Sequence, residues 1–367
     1  MFSIMPTTRL RPSPYFNATV KEGVKSFAPY NSMLMPMGYG DPIGEYERLM
    51  TGVSMWDVAV ERQVQLKGRD AARLAQILSP RDLSGCKIGQ GKYIPMVNHQ
   101  GTLINDPVLL KLAEDKFWFS IADSNILFWA RAIAAERNLD VEVTEPDVSP
   151  LAIQGPMAEN VTAAMFGDWV RDLKYFWFKE TQVDGIPVVV ARSGWSKQGG
   201  FEIYLMDGTQ GDRLWNLVRD AGKPWGIAPG NPNPIERIES GLLSYGSDTD
   251  DETNPYEVRM GKYVDLDLPS DIVGIRALRR IKAEGIKRHQ LGLVLDGDSP
   301  LPVAFKRFDI TSGGKTVGQM TNSTFSPRLK RNIGYALISR VAKPGQIVQV
   351  HRDEGVMNGT LQKLPFF

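Results

Sequence analysis

Hydrophobic and polar residues alternate with a period of two over 201–205, Phe-Glu-Ile-Tyr-Leu. This spacing is typical of a β-strand, because successive side chains point to opposite faces. The three apolar residues therefore share one face, and Glu202 and Tyr204 share the other. The run over 188–191, Val-Val-Val-Ala, is also β-like, and turn-forming residues fill the interval 193–200. The pattern predicts a β-hairpin whose glutamate faces either a cavity or, in an ordinary hairpin, solvent.

Other stretches add helices and further strands to this hairpin. The segments within 91–122 are typical of a meander of short strands, and 29–36 has the composition of extended coil. Helical spacing of apolar residues predicts helices over 69–78, 124–137, 157–166, 211–223 and 235–246. The first three quarters of the chain are therefore expected to mix helices and sheets.

From about Lys287 the mixed pattern gives way to short β-runs separated by turn residues. Such a run of strands is typical of a small barrel. We therefore predict an α+β fold with two domains. Residues 1–284 would form two α/β subdomains, and residues 285–367 would form a C-terminal β-barrel.

The composition narrows the classes of function. The 367-residue chain is 42% hydrophobic and 23% charged with a net charge of +1, so nothing in its electrostatics favours nucleic acid or an anionic membrane. No apolar run approaches the ~18 residues of a membrane span. The opening residues lack a secretory pattern, and the single cysteine, Cys86, excludes an internal disulfide. We expect a cytoplasmic protein that binds neither nucleic acid nor membrane.

Metal chemistry finds little support in the sequence. The three histidines are scattered, and no pair of them has the spacing of metal ligands. The acidic residues Asp248, Asp250 and Glu252 resemble a calcium loop, but the glycine at the sixth loop position is missing. A solvated connector is the expectation there. Any chemistry should then depend on carboxylates, aromatic rings and a bound organic partner.

Four separated segments align in order with one known family. They are Arg-Asp-Leu-Ser-Gly through Asn-Asp-Pro at 81–112, Ala-Arg-Ser-Gly-Trp through Phe-Glu-Ile-Tyr-Leu at 191–205, Ile-Glu-Arg-Ile-Glu-Ser-Gly through Pro-Tyr-Glu at 235–257, and Val-Gly-Gln through Ile-Gly-Tyr-Ala-Leu-Ile at 317–338. Together they resemble the glycine-cleavage T-protein family over roughly residues 28–367. The resemblance implies three subdomains in a ring around a central funnel that holds a folate, with a C-terminal β-barrel.

Within that family the chain is similar to the branch that demethylates dimethylsulfoniopropionate. The stretches that carry this similarity lie at 55–68, 105–112, 191–204 and 235–248. T-proteins usually carry Tyr-Thr-Gly-Glu where this chain has Trp-Ser-Lys-Gln at 195–198, and paired aspartates where it has Asn105-Asp106. The resemblance implies a methyltransferase that moves a methyl group from the sulfonium substrate to N5 of tetrahydrofolate. The products would be methylthiopropionate and 5-methyltetrahydrofolate.

The resemblance also implies a folate site. Glu202 would accept hydrogen bonds from the pterin N–H groups, a charge-assisted contact, with Tyr204 beside it. Trp195, Tyr93 and Asp106 would complete the site, and Asp106 is the one candidate catalytic residue. The alternatives are a solvated Glu202, a core position for Tyr204 and plain turn chemistry for the Asn-Asp-Pro sequence.

A sulfonium substrate needs little catalytic apparatus, because its methyl group leaves behind a neutral thioether. Direct displacement by N5 then requires alignment more than acid or base help. Aromatic faces suit the cation, and Trp195, Tyr93 and Tyr30 are the candidates, each with core packing as its alternative. The turn around Ser124, together with Arg192 and Lys197, offers donors for the substrate carboxylate.

Two other functions stay open from the sequence. One is an aminomethyltransferase or another folate-dependent N- or O-demethylase. The other is a non-catalytic folate-binding protein, although Cys86 lacks the flanking residues that such relatives carry. The expected partners are the small sulfonium substrate and tetrahydrofolate, with a homodimer as the expected assembly.

Overall fold

The computed structural model describes residues 7–301 and 306–367. In chain order its α-helices are α1 (Phe16–Lys21), α2 (Pro42–Thr51), α3 (Ala71–Ile77), α4 (Ile126–Glu136), α5 (Ala158–Phe166), α6 (Gly211–Gly222), α7 (Pro234–Glu239) and α8 (Ile275–Glu284). Since β-strands lie between and after these helices, the predicted α+β class is confirmed. Within the described ranges, no helix is both long and apolar enough to cross a bilayer.

Strands and helices are interspersed up to α8, and the strands after α8 follow one another. Those before α8 are β1 (Phe27–Tyr30), β2 (Met33–Pro36), β3 (Ser54–Asp57), β4 (Gln63–Lys67), β5 (Gln90–Tyr93), β6 (Met96–Val97), β7 (Leu103–Asn105), β8 (Val108–Ala113), β9 (Lys116–Ser120), β10 (Glu142–Thr144), β11 (Ser149–Gln154), β12 (Phe178–Val183), β13 (Ile186–Ala191), β14 (Gly200–Leu205) and β15 (Ala228–Gly230). Those after it are β16 (Arg288–Leu295), β17 (Phe308–Ser312), β18 (Lys315–Ser326), β19 (Arg331–Ser339), β20 (Ile347–Arg352) and β21 (Gly355–Gln362).

The chain forms two compact units. The first unit comprises the described residues up to Ala75, with Gly85–Tyr93 and Pro107–Asn233. The second unit comprises Gln76–Ser84, Ile94–Asp106 and the described residues from Pro234 onward. The domain boundary at 284/285 that the sequence suggested stays a prediction.

Two sheets and a helical layer build the first unit. One sheet has the strand order β12-β13-β14-β11-β3-β15, and the other has the order β10-β4-β9-β8-β5. The six-stranded sheet packs one face against α5 and α6 through a large apolar cluster that includes Phe201, Ile203 and Trp215. Its other face joins the five-stranded sheet through a smaller cluster that includes Trp118 and Tyr204. Both faces of β14 are therefore buried.

The second unit contains a closed six-stranded barrel. Its strands follow the order β16-β19-β18-β17-β20-β21, and their inward apolar side chains form a core of their own. The β-barrel predicted from the short strands after Lys287 is thus confirmed. A ribbon of β6 and β7 and the helices α7 and α8 belong to the same unit.

Two expectations about local structure were wrong. Residues 29–36 belong to a β-hairpin, in which Tyr30 of β1 pairs with Met33 of β2. Helix α7 ends at Glu239, well before the predicted end at 246. Gly241 has a φ of +75°, a left-handed conformation that glycine adopts readily and that commonly terminates helices.

Candidate functional site

The predicted hairpin is present, and it places Glu202 in the interior. Strands β13 and β14 pair antiparallel, with Ala191 opposite Glu202. The Glu202 side chain lies on the face of β14 that is covered by the five-stranded sheet, and the residue is only 5% exposed. The solvated alternative is therefore wrong for this residue. A buried carboxylate must be hydrogen-bonded or must meet a ligand, because burial without a partner is costly.

Two neighbouring hydroxyls hold this carboxylate through a single oxygen. The Ser193 hydroxyl and the Tyr204 hydroxyl both donate to Oε2 of Glu202, the latter at 3.2 Å. A bidentate contact with a pterin would require Oε2 to accept a third hydrogen bond. The arrangement instead leaves Oε1 as the oxygen that can receive a donor from a ligand.

Burial also changes the acidity of the group. Removal from water raises the pKa of Glu202 above its ordinary value, and the hydrogen bonds from Ser193 and Tyr204 partly offset that rise. Burial raises the pKa of Tyr204 well above 10, and the negative charge of Glu202 raises it further. Tyr204 therefore acts here as a neutral donor.

Ser120 is a site residue that the sequence did not single out. It ends β9, its hydroxyl hydrogen-bonds Tyr204, and it accepts a hydrogen bond from Gln63 Nε2 at 2.9 Å. Tyr204 also packs against Trp118, with ring centroids 6.4 Å apart. The available signal was the alternation in β9, which places a polar residue on the same face as Trp118.

A narrow cavity of about 10 Å³, room for one water molecule, lies beside Ser193 and Tyr204. Its remaining lining is apolar, from Gly91 and residues of β8, β12 and β13, with Phe176. Tyr93 shares a face of β5 with Gly91 and pairs with Val108, which also lines the cavity. Tyr93 thus lies on the face of the five-stranded sheet that packs against β14, the strand of Glu202 and Tyr204.

Trp195 lies in the turn between β13 and β14, where it is partly buried. Ser193 precedes it and carries the hydroxyl that contacts Glu202. Trp195 is therefore two residues along the chain from the carboxylate's hydrogen-bond donor, as the predicted hairpin required.

The structure also brings the Tyr30 turn and the Ser124 turn together. Asn31, which follows Tyr30, donates its backbone N–H to Asp123 Oδ1 at 2.7 Å. The Asn31 side chain donates to the carbonyl of Ala122 at 2.9 Å and to that of Val60 at 3.0 Å. These bonds fix the tip of the β1–β2 hairpin against the loop that follows β9, the strand that ends at the site residue Ser120.

Asp106 belongs to the second unit, where it follows β7. Its backbone N–H donates to the side chain of the fully buried Asn105 at 2.9 Å. This is the local hydrogen bonding expected of a turn, and a catalytic role for Asp106 stays a prediction.

Arg192 is engaged in the structure of the first unit. Its guanidinium pairs with Glu159 at 2.8 Å and donates to the carbonyls of Arg171 and Leu173. This set of partners makes it a brace for the loop before β12 and a poor candidate for the substrate carboxylate. Lys197, in the exposed part of the turn, retains that candidacy.

The acidic segment of the second unit is not a solvated connector. Asp248 is fully buried and forms an ion pair with Arg237, which lies on the same helix, α7, as Glu239. Glu239 accepts from the hydroxyl of Ser326. Within the described part of the chain, no group of three His, Cys, Asp or Glu side chains is placed to hold a metal ion.

Comparison with known proteins identifies relatives across the whole chain. The GCVT N-terminal domain matches residues 16–268, and the glycine cleavage T-protein C-terminal barrel domain matches residues 288–367. The chain is 40% identical over 364 residues to the dimethylsulfoniopropionate demethylase DmdA of Ruegeria pomeroyi, a match that covers 99% of each protein. It is 29% identical over 348 residues to an aminomethyltransferase of Caldanaerobacter subterraneus, covering 93% of this chain and 91% of the relative.

Similarity in three dimensions agrees with these matches. The structure superimposes on the glycine cleavage system aminomethyltransferase T of Bartonella henselae with a TM-score of 0.83. The match covers 97% of this chain and 98% of the other at 22% sequence identity. The overall fold is therefore the same in the two proteins.

Proposed function

Because the chain belongs to the glycine cleavage T-protein family, we propose that it transfers a methyl group from dimethylsulfoniopropionate to N5 of tetrahydrofolate. The products would be methylthiopropionate and 5-methyltetrahydrofolate. The named relative that shares 40% of its residues supports this donor. The departures at 195–198 and Asn105 from the usual T-protein pattern support it as well.

One observation carries the folate part of the proposal. Glu202 is a buried carboxylate whose two hydrogen bonds both end on Oε2, and its two donors, Ser193 and Tyr204, line a small cavity with otherwise apolar walls. At about 10 Å³ the cavity is too small for a pterin as it stands, so we infer that its apolar walls move apart when the flat heterocycle enters and its N–H donor reaches Oε1. Tyr93 and Trp195 would supply aromatic surface around it.

The reaction mainly requires the sulfonium methyl group to be aligned with N5 of tetrahydrofolate. The carbon–sulfur bond breaks as the carbon–nitrogen bond forms, and the electron pair of the broken bond stays on sulfur to give a neutral thioether. The proton of N5 must then leave, and Asp106 is our candidate to accept it. The protein's other task is to hold the two reactants in line and to exclude water.

Aromatic rings would hold the sulfonium. Trp195 and Tyr93 lie in the first unit with Tyr30, whose turn is fixed to the loop of Ser124. A cation over an aromatic face gains about 0.5–2 kcal/mol, depending on how far it is removed from water. Trp195→Ala should accordingly impair sulfonium turnover more than folate binding.

An aminomethyltransferase is the second candidate, and full-length relatives of that name at 28–29% identity favour it. The two activities differ in product, since glycine cleavage yields methylene-folate and demethylation yields the methyl form. Other folate-dependent N- or O-demethylases differ in donor.

The deciding experiment supplies tetrahydrofolate and a panel of sulfonium, betaine and methoxy donors, and follows 5-methyltetrahydrofolate by chromatography. A parallel reaction supplies the glycine-cleavage partner proteins and follows methylene-folate. We expect methyl transfer from dimethylsulfoniopropionate alone. Turnover without tetrahydrofolate, or methylene-folate from the second reaction, would overturn the proposal.

The cytoplasmic location, the homodimer and the absence of nucleic-acid partners are also proposals. The single cysteine and the net charge of +1 support the first and the third. Light scattering of the purified protein tests the homodimer.

A further inference from the structure

The side chain of Gln154, at the end of β11, is completely buried beside the turn that carries Ser193 and Trp195. Its Nε2 donates to the carbonyl of Ser193 at 3.1 Å and to that of Phe201 at 3.3 Å. Its Oε1 accepts from the hydroxyl of Ser196 at 2.8 Å. One amide therefore ties together both ends and the middle of the turn between β13 and β14.

The turn is shaped to admit this amide. A Cβ atom on Gly194 would lie 2.0 Å from Nε2 of Gln154, and one on Gly200 would lie 2.5 Å from the same atom. At Gly194 the three nearest atoms all belong to the Gln154 amide, whereas at Gly200 the carbonyl of Ile153 also lies 2.4 Å from the added atom. The close approach of Gln154 therefore explains Gly194, and Gln154 and Ile153 together explain Gly200.

Gln154 hydrogen-bonds to Ser193, the residue whose hydroxyl donates to Glu202. The Gln154 amide fixes the backbone of Ser193, and the hydroxyl of Ser193 donates to Oε2 of Glu202. The bond to Phe201 fixes the residue before Glu202 on the same strand. Gln154 therefore acts on the carboxylate from both sides without touching it.

We propose that Gln154 is a positioning residue for the ligand-binding carboxylate of Glu202. By holding Ser193 it keeps Oε2 occupied by that hydroxyl, and by holding Phe201 it keeps Oε1 turned toward the ligand. The inference rests on the proposed function for its folate readout. Its effect on the carboxylate is a property of the protein alone.

If Gln154 only stabilised the hairpin, a different experimental result would be expected. Loss of the amide would then lower the stability of the hairpin and leave the titration of Glu202 unchanged in the folded protein. Loss of a positioned donor should raise the pKa of Glu202, since a hydrogen bond to the charged form lowers it. Tyr204 donates to this carboxyl and Glu61 acts electrostatically on Tyr204, and both residues stay in place in every variant below.

The test compares Gln154→Leu and Ser193→Ala with Ser193→Thr, which keeps the hydroxyl. Infrared titration of the Glu202 carboxyl, assigned with Glu202→Gln, and calorimetry with tetrahydrofolate give the two readouts. We expect Gln154→Leu and Ser193→Ala to raise the pKa of Glu202 and to weaken tetrahydrofolate binding about tenfold. Ser193→Thr should stay close to wild type in both.

A folded Gln154→Leu protein with the wild-type titration of Glu202 would overturn the inference. If that variant does not fold, Ser196→Ala, which removes only the donor to Gln154 Oε1, decides on the same readouts: a raised pKa of Glu202 supports the inference, and an unchanged one overturns it. Wild-type protein that fails to bind tetrahydrofolate would defeat the proposed function, while the titration would still decide the role of Gln154.

Discussion

At the scale of single residues, Glu202 combines burial with incomplete hydrogen bonding. Its two donors both reach Oε2, so the free protein bears the desolvation cost of a carboxylate that a ligand donor would offset. Glu202→Ala should weaken tetrahydrofolate binding by about 1.5–3 kcal/mol, the scale of a hydrogen bond to a charged group. Calorimetry measures the change, and an unaltered affinity would remove Glu202 from the site.

The same group predicts a pH dependence of binding. The ionised carboxylate accepts the ligand's N–H, and burial raises the pKa of Glu202 above its ordinary 4.5. As the pH falls through that raised pKa, the carboxylate takes up a proton and tetrahydrofolate affinity should decline. Glu202→Gln, measured over the same pH series, should bind weakly and without this decline. A parallel decline in both proteins would assign it to another group.

Asp57 predicts a pH dependence of stability. Burial raises its pKa from 3.8 to about 6, although the Ser13 hydroxyl and the Ala59 N–H both donate to it and lower the value. The folded state thus binds the proton more tightly than the unfolded chain. This contribution to stability is complete below pH 3.8 and is lost as the pH rises through 6, a change of about 3 kcal/mol.

Asp57→Asn isolates this contribution, because the amide does not titrate. Denaturant unfolding of both proteins between pH 4 and 6 should show a difference in free energy of unfolding that changes steadily with pH. A difference that is constant over that range would show that Asp57 has the same pKa in the folded and unfolded states.

At the scale of elements, α7 in the second unit depends on one buried ion pair. Asp248 receives the guanidinium of Arg237, the backbone N–H of Ser244 and the hydroxyl of Thr321 on β18. Asp248→Ala should lower the free energy of unfolding by about 3–5 kcal/mol, because it leaves Arg237 buried without that carboxylate. The double variant Arg237→Met/Asp248→Ala should recover much of this loss. A single variant that unfolds like wild type would show that the pair adds little to stability.

Local sequence patterns predicted the helices and strands more accurately than they predicted what covers each face of those elements. The period of two in β14 correctly separated Phe201 and Ile203 from Glu202 and Tyr204, since a strand's facing depends only on adjacent residues. Whether the second face met solvent or protein depended on β8 and β9, which are remote in sequence. The early end of α7 was readable, because a glycine inside a helical pattern is a candidate stop.

Side-chain partners were the least predictable part of the site. Ser120 meets Tyr204 only because two sheets pack together, and Gln154 meets Ser193 only because β11 pairs with β14. The alternation in β9 indicates the face on which Ser120 lies, but the sequence gives the partner of neither Ser120 nor Gln154. The family motifs did select Glu202, and the structure adds the oxygen that a ligand can reach.

At the scale of the whole molecule, the ordered motifs predicted the fold, because all four lie within the ranges that the family models match. The motifs do not give the free energy of ligand binding at the site. A ligand that binds only the folded chain allows that free energy to be measured, because it raises the free energy of unfolding. Tetrahydrofolate at about 100 times its dissociation constant should add about 2.7 kcal/mol to the free energy of unfolding. With Glu202→Ala, an affinity weaker by the 1.5–3 kcal/mol predicted above should leave about a tenth to a half of that gain at the same concentration. Thermal unfolding with and without tetrahydrofolate measures both values, and an equal gain in the two proteins would mean that the folate binds somewhere other than Glu202.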